Sequence, residues 1–162
     1  MEKEFIELVN KHQGILHKIC NVYFYGNPYS GDYYQEILIR LWKSYSGFKN
    51  QSAVSTWIYR VALNTAIDII RKQYIRPKLI ELSRNELNIP TVETGHESDQ
   101  KDKMYRAINT LPDAEKAIII LYLEGYEYKE IAGIIGISES NTGVKINRVK
   151  HQLIKLLGNG KR

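Results

Sequence analysis

One cysteine, four prolines and three phenylalanines in 162 residues remove several classes of protein at once. A lone thiol allows no disulfide framework and no cysteine-rich zinc site, so nothing asks for an oxidising compartment. No apolar run is long enough to cross a bilayer, and the opening Met1-Glu2-Lys3-Glu4-Phe5 lacks the pattern of a secretory signal. The expected setting is a reducing cytoplasm, with no membrane insertion. Enzyme motifs are missing as well: there is no glycine loop ending in Lys to cradle phosphate, no His-Glu-x-x-His and no nucleophile elbow. No catalytic residue, metal or cofactor is therefore expected. His17 and Cys20 stand three apart, but two ligands do not make a metal site.

What is present is helix-forming. The chain is 43% hydrophobic, enough to bury a core, and carries a net charge of +5. The distribution of charge says more than its total. Residues 55–78 hold Arg60, Arg71, Lys72, Arg76 and Lys78 against Asp68 alone, and 126–162 are basic again. Between them, 81–102 hold six acids against Arg84 and Lys101. Two basic blocks parted by an acidic stretch suggest two surfaces that each meet phosphate.

Helical spacing recurs along most of the chain. Phe5, Leu8, Val9, His12, Ile15, Leu16, Ile19, Val22 and Tyr23 predict a first helix over 3–25. After the turn cluster Gly26–Gly31, a second helix is predicted over 32–45, capped by Asp32, with Tyr34, Ile37, Leu38 and Leu41 inward. Asp32, Gln35, Glu36 and Arg40 lie off that stripe. A polar loop with one aromatic, Gly47–Ser55, leads to a third helix over 56–72. There Val54, Trp57, Ile58, Val61, Ala62 and Thr65 face inward and Tyr59, Arg60, Asn64, Arg71 and Lys72 outward. Aromatic and amide groups beside cations suit unstacked bases and phosphates. Pro77, Pro90 and the acidic bias make 74–103 a flexible linker, with a short helix near 78–87. The pattern resumes at Met104, Ala107, Ile108 and Leu111, and Pro112 opens the next helix.

The segment Glu124–Arg148 reads as a helix-turn-helix. Tyr128, Ile131, Ala132 and Ile135 make one apolar stripe. Gly136 supplies the positive φ that ends a helix, and Ser138 caps the next. Thr142, Ile146, Val149 and Leu153 share the buried face of that second helix, while Ser140, Val144, Asn147, Arg148 and His151 lie opposite. Small, polar and cationic side chains at that place are what a major groove admits. The plainer alternative is a helical hairpin with a solvated basic face.

Two stretches resemble the extracytoplasmic-function (ECF) group of bacterial sigma factors. Asp32-Tyr33-Tyr34-Gln35-Glu36-Ile37-Leu38-Ile39-Arg40-Leu41-Trp42, then Phe48 and Ser55-Thr56-Trp57-Ile58-Tyr59-Arg60-Val61-Ala62-Leu63-Asn64, resemble the signatures of that family's region 2. Leu111-Pro112, Glu124-Gly125-Tyr126 and the helix-turn-helix resemble region 4. The resemblance implies an all-α chain of two small helical domains, residues 1–73 and 104–162, joined by the linker 74–103. It implies that Asp32, Gln35, Glu36, Leu38 and Trp42 dock on the clamp helices of the largest subunit of core RNA polymerase, with the polymerase flap as a further contact. Phe48, Lys49, Asn50, Ser52, Tyr59, Arg60 and Asn64 would open and hold the −10 promoter element. Ser140, Gly143, Val144, Lys145, Asn147, Arg148 and Lys150 would meet the −35 element of promoter DNA. An anti-sigma factor is a further partner compatible with such a linker.

The chain departs from the family pattern at four places. Ser30-Gly31 replace an acidic pair, Glu127 replaces a capping Ser, Thr142 replaces an apolar residue, and Gly143 stands where Lys is common, which would let the backbone approach DNA. Two other functions fit parts of the sequence. A stand-alone helix-turn-helix regulator would bind DNA without polymerase. An enzyme with a helix-turn-helix appendage would need a catalytic constellation in 1–73, where none is found.

Overall fold

The computed structural model describes residues 1–75 and 96–158, with side chains from residue 99 onward in the second stretch. Every regular element among them is a helix: α1 (Glu2–Phe24), α2 (Ser30–Tyr45), α3 (Val54–Ile75), α4 (His96–Asn109), α5 (Asp113–Leu123), α6 (Tyr128–Ile135) and α7 (Glu139–Gly158). The short helix expected near 78–87 lies outside the described residues, as does most of the expected linker.

Helices α1, α2 and α3 pack on one another as a first bundle, and α4 to α7 form a second in which α7 touches all three others. Leu16, Ile19, Ile37, Leu41, Ile58 and Ala62, all at most 1% exposed, fill the first core. Ile118, Leu121, Ile131, Ile146 and Val149, each at 0%, fill the second. Each such side chain taken from water stabilises by about 1.5–3 kcal/mol. The bundles also touch each other, α1 against α4 and α5, and α3 against α6.

Two helix starts differ from the expectation. α2 begins at Ser30, so Asp32 is not its cap but stands in its first turn, where a carboxylate still suits the positive end of the helix dipole. α4 begins at His96, eight residues ahead of the first apolar repeat at Met104. Its polar start is supported by an ion pair from Asp99 to Lys103 at 3.2 Å, with the acid on the N-terminal side, the favourable order.

The local chemistry of α6 and α7 follows the sequence closely. Gly136 has φ 84°, and its amide donates to Ala132 O at 2.8 Å. The Ser138 hydroxyl accepts from the Asn141 amide at 3.1 Å, capping α7. At the start of α6, the Glu127 amide donates to the Glu130 carboxylate at 2.8 Å, the return arm of a capping box. Thr142 is fully buried in place of an apolar residue, and its hydroxyl donates to Ser138 O at 2.9 Å. The fold thus tolerates a polar atom there because it is satisfied.

Candidate nucleic-acid and partner interfaces

The first surface lies on α2. Its inward stripe is led by Ile37 and Leu41, with Tyr34 and Leu38 half-buried. On the other side Asp32 and Gln35 are exposed and Glu36 is half-buried. Trp42 is 40% exposed with its ring edge against Phe5, centroids 5.0 Å apart. Ile39, missed by the sequence reading, is 51% exposed. Asp32, Gln35, Ile39 and Trp42 follow one another at spacings of three and four and so form a single stripe. The signal was available, since Ile39 is an apolar residue off the buried stripe. This face combines acid, amide and unburied apolar area, the mixture found where another protein docks.

The second surface is the Gly47–Ala53 loop with the outer side of α3. Lys49 and Asn50 are exposed and Ser52 half-exposed. Asn50 takes φ 52°, a left-handed conformation that Asn tolerates better than most residues. Phe48 does not stand free: it stacks on Trp57 at 4.7 Å and 23°. It also lines a pocket of about 260 Å³ with Met1, Leu8, Tyr45, Ser46 and Asn50. Arg60 and Asn64 are exposed, as expected.

Tyr59 is not. It is 1% exposed, with its ring edge-on to Tyr126, centroids 5.7 Å apart at 85°. The physical reason is that α3 is covered on two sides, by α1 and α2 and by the α5–α6 region. Burial first, then the charge of Glu124, raises the pKa of its hydroxyl. That hydroxyl is enclosed beside the Glu124 carboxylate.

The third surface is the outer face of α7. Ser140, Val144 and Asn147 are exposed, Val144 at 65%. Lys145 is half-exposed beside them. Three expected members are engaged within the fold. The guanidinium of Arg148 pairs with Glu115, which is 5% exposed. The ammonium of Lys150 lies 4.5 Å from the Tyr122 ring centroid, and hydrogen bonding to Tyr122 raises its pKa. Gly143 faces inward: a Cβ there would meet the Tyr128 ring at 3.4 Å. At that distance a Cβ would make an ordinary contact with the ring, so packing leaves room for a small side chain there.

Comparison with known proteins decides the family. The family model described as Sigma-70 region 2 matches residues 8–74, and that described as Sigma-70, region 4 matches residues 101–153. The RNA polymerase sigma factor SigS of Staphylococcus aureus is 31% identical over 140 residues, covering 85% of this chain and 88% of that one. The chain belongs to the ECF group of RNA polymerase sigma factors. The ECF RNA polymerase sigma factor SigX of Bacillus subtilis is a further relative, 27% identical over 166 residues, with 97% of this sigma factor and 83% of that one covered. The fold is also that of the sigma factor RpoE co-crystallised with the anti-sigma factor NepR from Bartonella quintana, with a TM-score of 0.68 at 17% identity over 97% of this chain and 96% of that one. Among the described residues of this sigma factor, no helix is long and apolar enough to cross a membrane.

Proposed function

We propose that this sigma factor binds core RNA polymerase and directs it to particular promoters, with no catalysis of its own. The observation that carries the reading is the α2 stripe, where Ile39 and Trp42 remain 51% and 40% exposed in line with Asp32 and Gln35. Such area is costly to leave in water and is covered when a large partner docks. Residues 1–75 supply polymerase docking and −10 opening, and 96–158 supply −35 reading. The −10 set is Phe48, Lys49, Asn50, Ser52, Tyr59, Arg60 and Asn64. The −35 set is Ser140, Gly143, Val144, Lys145 and Asn147, with Arg148 and Lys150 at its edge. The partners are core polymerase and promoter DNA, in the cytoplasm, and an anti-sigma factor such as the one bound to the Bartonella protein.

The test uses purified core polymerase. Asp32→Arg with Glu36→Arg changes two side chains outside the core, so the helical circular dichroism and melting temperature should hold. Opposed or unpaired charge at a docked face costs several kcal/mol. The double variant should lose co-elution with polymerase and promoter-specific run-off transcription. Wild-type polymerase binding by the folded variant would move the assignment to a stand-alone regulator, which binds DNA alone and is indifferent to both changes.

A further inference from the structure

We propose that the cleft between α3 and the α5–α6 pair is a binding site for a small nucleotide, two nucleosides long, with its phosphates on Arg60 and Arg71.

The cleft has a volume of about 520 Å³, within the range that ligand sites occupy. Its floor is apolar: Leu63 and Ile67 of α3 line it together with Ile134 and Ile135 of α6. The polar groups stand on one wall. Arg60, Asn64, Ile67, Arg71 and Tyr74 follow one another at spacings of four and three, so they make a single stripe along α3. An apolar body with a few polar groups to one side is the usual make-up of a site that orients a small ligand.

The charge of the cleft favours an anion. Asp113 is the one acid among its described lining residues, and the Lys116 ammonium already lies 3.7 Å from that carboxylate. Arg71 keeps only a loose pair with Asp68, at 3.9 Å with both side chains well exposed. Arg60 and Asn64 are exposed and make no hydrogen bond through their side chains among the described residues. The opposite wall carries the start of α5 at Asp113 and Ala114, where no side chain caps the helix, so the positive end of its dipole adds to the two arginines. A guanidinium with free donors takes phosphate through two parallel hydrogen bonds.

The shape asks for more than phosphate. Arg60 and Arg71 are eleven residues apart, about 16 Å along the helix axis, which suits a ligand with anionic groups at two points better than a single phosphate. Between them Asn64 offers an amide, the group that pairs with the edge of a base. Beyond Arg71, Tyr74 is 84% exposed and offers a ring on which a base stacks. Two anionic points, an amide, a free aromatic ring and an apolar floor together match a dinucleotide. Arg60 and Asn64 also belong to the proposed −10 set. The test below uses neither promoter nor polymerase, so it succeeds or fails independently of that assignment.

Equilibrium dialysis of the full chain against the dinucleotide pApA tests the site, with inorganic pyrophosphate as an anion that lacks bases. Arg71→Ala and Tyr74→Ala change side chains that are 70% and 84% exposed, so the melting temperature should hold. Each should weaken pApA binding about tenfold, through a lost charged hydrogen bond or a lost stack. Ala114→Glu puts an acid on the opposite wall, at a place in the first turn of α5 where a carboxylate suits the fold, and should weaken pApA to a similar degree. Pyrophosphate should bind at least about tenfold more weakly than pApA, since it gains no stacking. Equal affinity for pyrophosphate would overturn the nucleotide class and leave an anion site. Undiminished binding by Ala114→Glu would put the ligand on α3 alone and overturn the cleft. A longer deoxyadenylate strand that binds through Arg71 and Tyr74, where pApA does not bind at millimolar concentration, would make the stripe a nucleic-acid track and overturn the small ligand. Absence of binding by both would overturn the site altogether.

Discussion

Arg148 of α7 holds the carboxylate of Glu115 on α5, joining the outer face of α7 to the core of its bundle. The Arg148 side chain is 60% exposed and the Glu115 side chain 7%. The acid is thus the buried member, and the arginine is what makes its burial tolerable.

Removing Arg148 should therefore be felt first as lost stability. Arg148→Ala leaves Glu115 unpaired, which costs about 1–3 kcal/mol. Adding Glu115→Met should recover most of that loss, because replacing both partners by apolar groups is often near neutral. Thermal melts of the two variants measure this. If Arg148→Ala changes promoter choice with no fall in melting temperature, Arg148 reads bases directly.

In the proposed function, base reading falls to the side chains left free on that face. Asn147→Ala should alter which −35 sequences are used, by about 1–3 kcal/mol at one base pair. Lys145→Ala should weaken all sequences alike and reduce the salt slope by about one. Transcription from a panel of promoter variants at several salt concentrations separates the two behaviours. Equal, sequence-blind losses for both would remove Asn147 from the reading set.

The loop before α3 has to be changed with care, since Phe48 is part of the core through Trp57. Replacing Lys49 and Ser52 by Gly and Asn50 by Gly, while keeping Phe48, should leave the fold intact. At Asn50 the change also relieves a positive φ. Polymerase binding should persist and promoter opening should fail. Permanganate reactivity of thymines on a matched promoter reads the outcome, and unchanged reactivity would reduce the loop to a connector.

Alkaline pH should loosen the chain through Tyr23. Burial, and then the nearby Asp113 charge, raise its pKa above the ordinary value. A group that keeps its proton longer when folded contributes stability that is complete below the unfolded pKa of about 10 and is lost as pH rises through the folded one. Tyr23→Phe should cost about 1 kcal/mol at neutral pH, for the bond to Asp113 O. It should also flatten the fall in stability above pH 10. Denaturant melts of both proteins across that range test it, and parallel curves would mean that another group drives the loss.

Most of this architecture was open to reading because it is local. Gly136 and Ser138 act through their own backbone and their nearest neighbours, so the turn between α6 and α7 could be placed without any tertiary information. The buried stripe of α7 followed from spacing for the same reason. Tyr59 could not be placed that way. Helical periodicity divides a helix into an inside and an outside, and it has no term for a second bundle that covers the outside. The same blindness hid the neighbour of Gly143, since the Tyr128 ring reaches it from another helix. α4 began early because polar residues can be helical when their charges are paired in the right order, and a search for apolar repeats does not see them. Ile39 was the missed opportunity, a single apolar side chain at a position that the spacing had already turned outward.

The two tryptophans of this chain happen to stand at the two places where the proposed events occur. Trp42 lies half in water on the α2 stripe, and Trp57 lies 8% exposed beneath Phe48 at the mouth of the loop before α3. The protein therefore carries its own optical reporters. Polymerase arriving at α2 would move the emission of Trp42 toward the blue, as water leaves its ring. Entry of a base into the loop would quench or shift Trp57 through Phe48. With Trp42→Phe or Trp57→Phe to silence one indole at a time, the order of docking and strand opening becomes a matter of watching two colours of light in time.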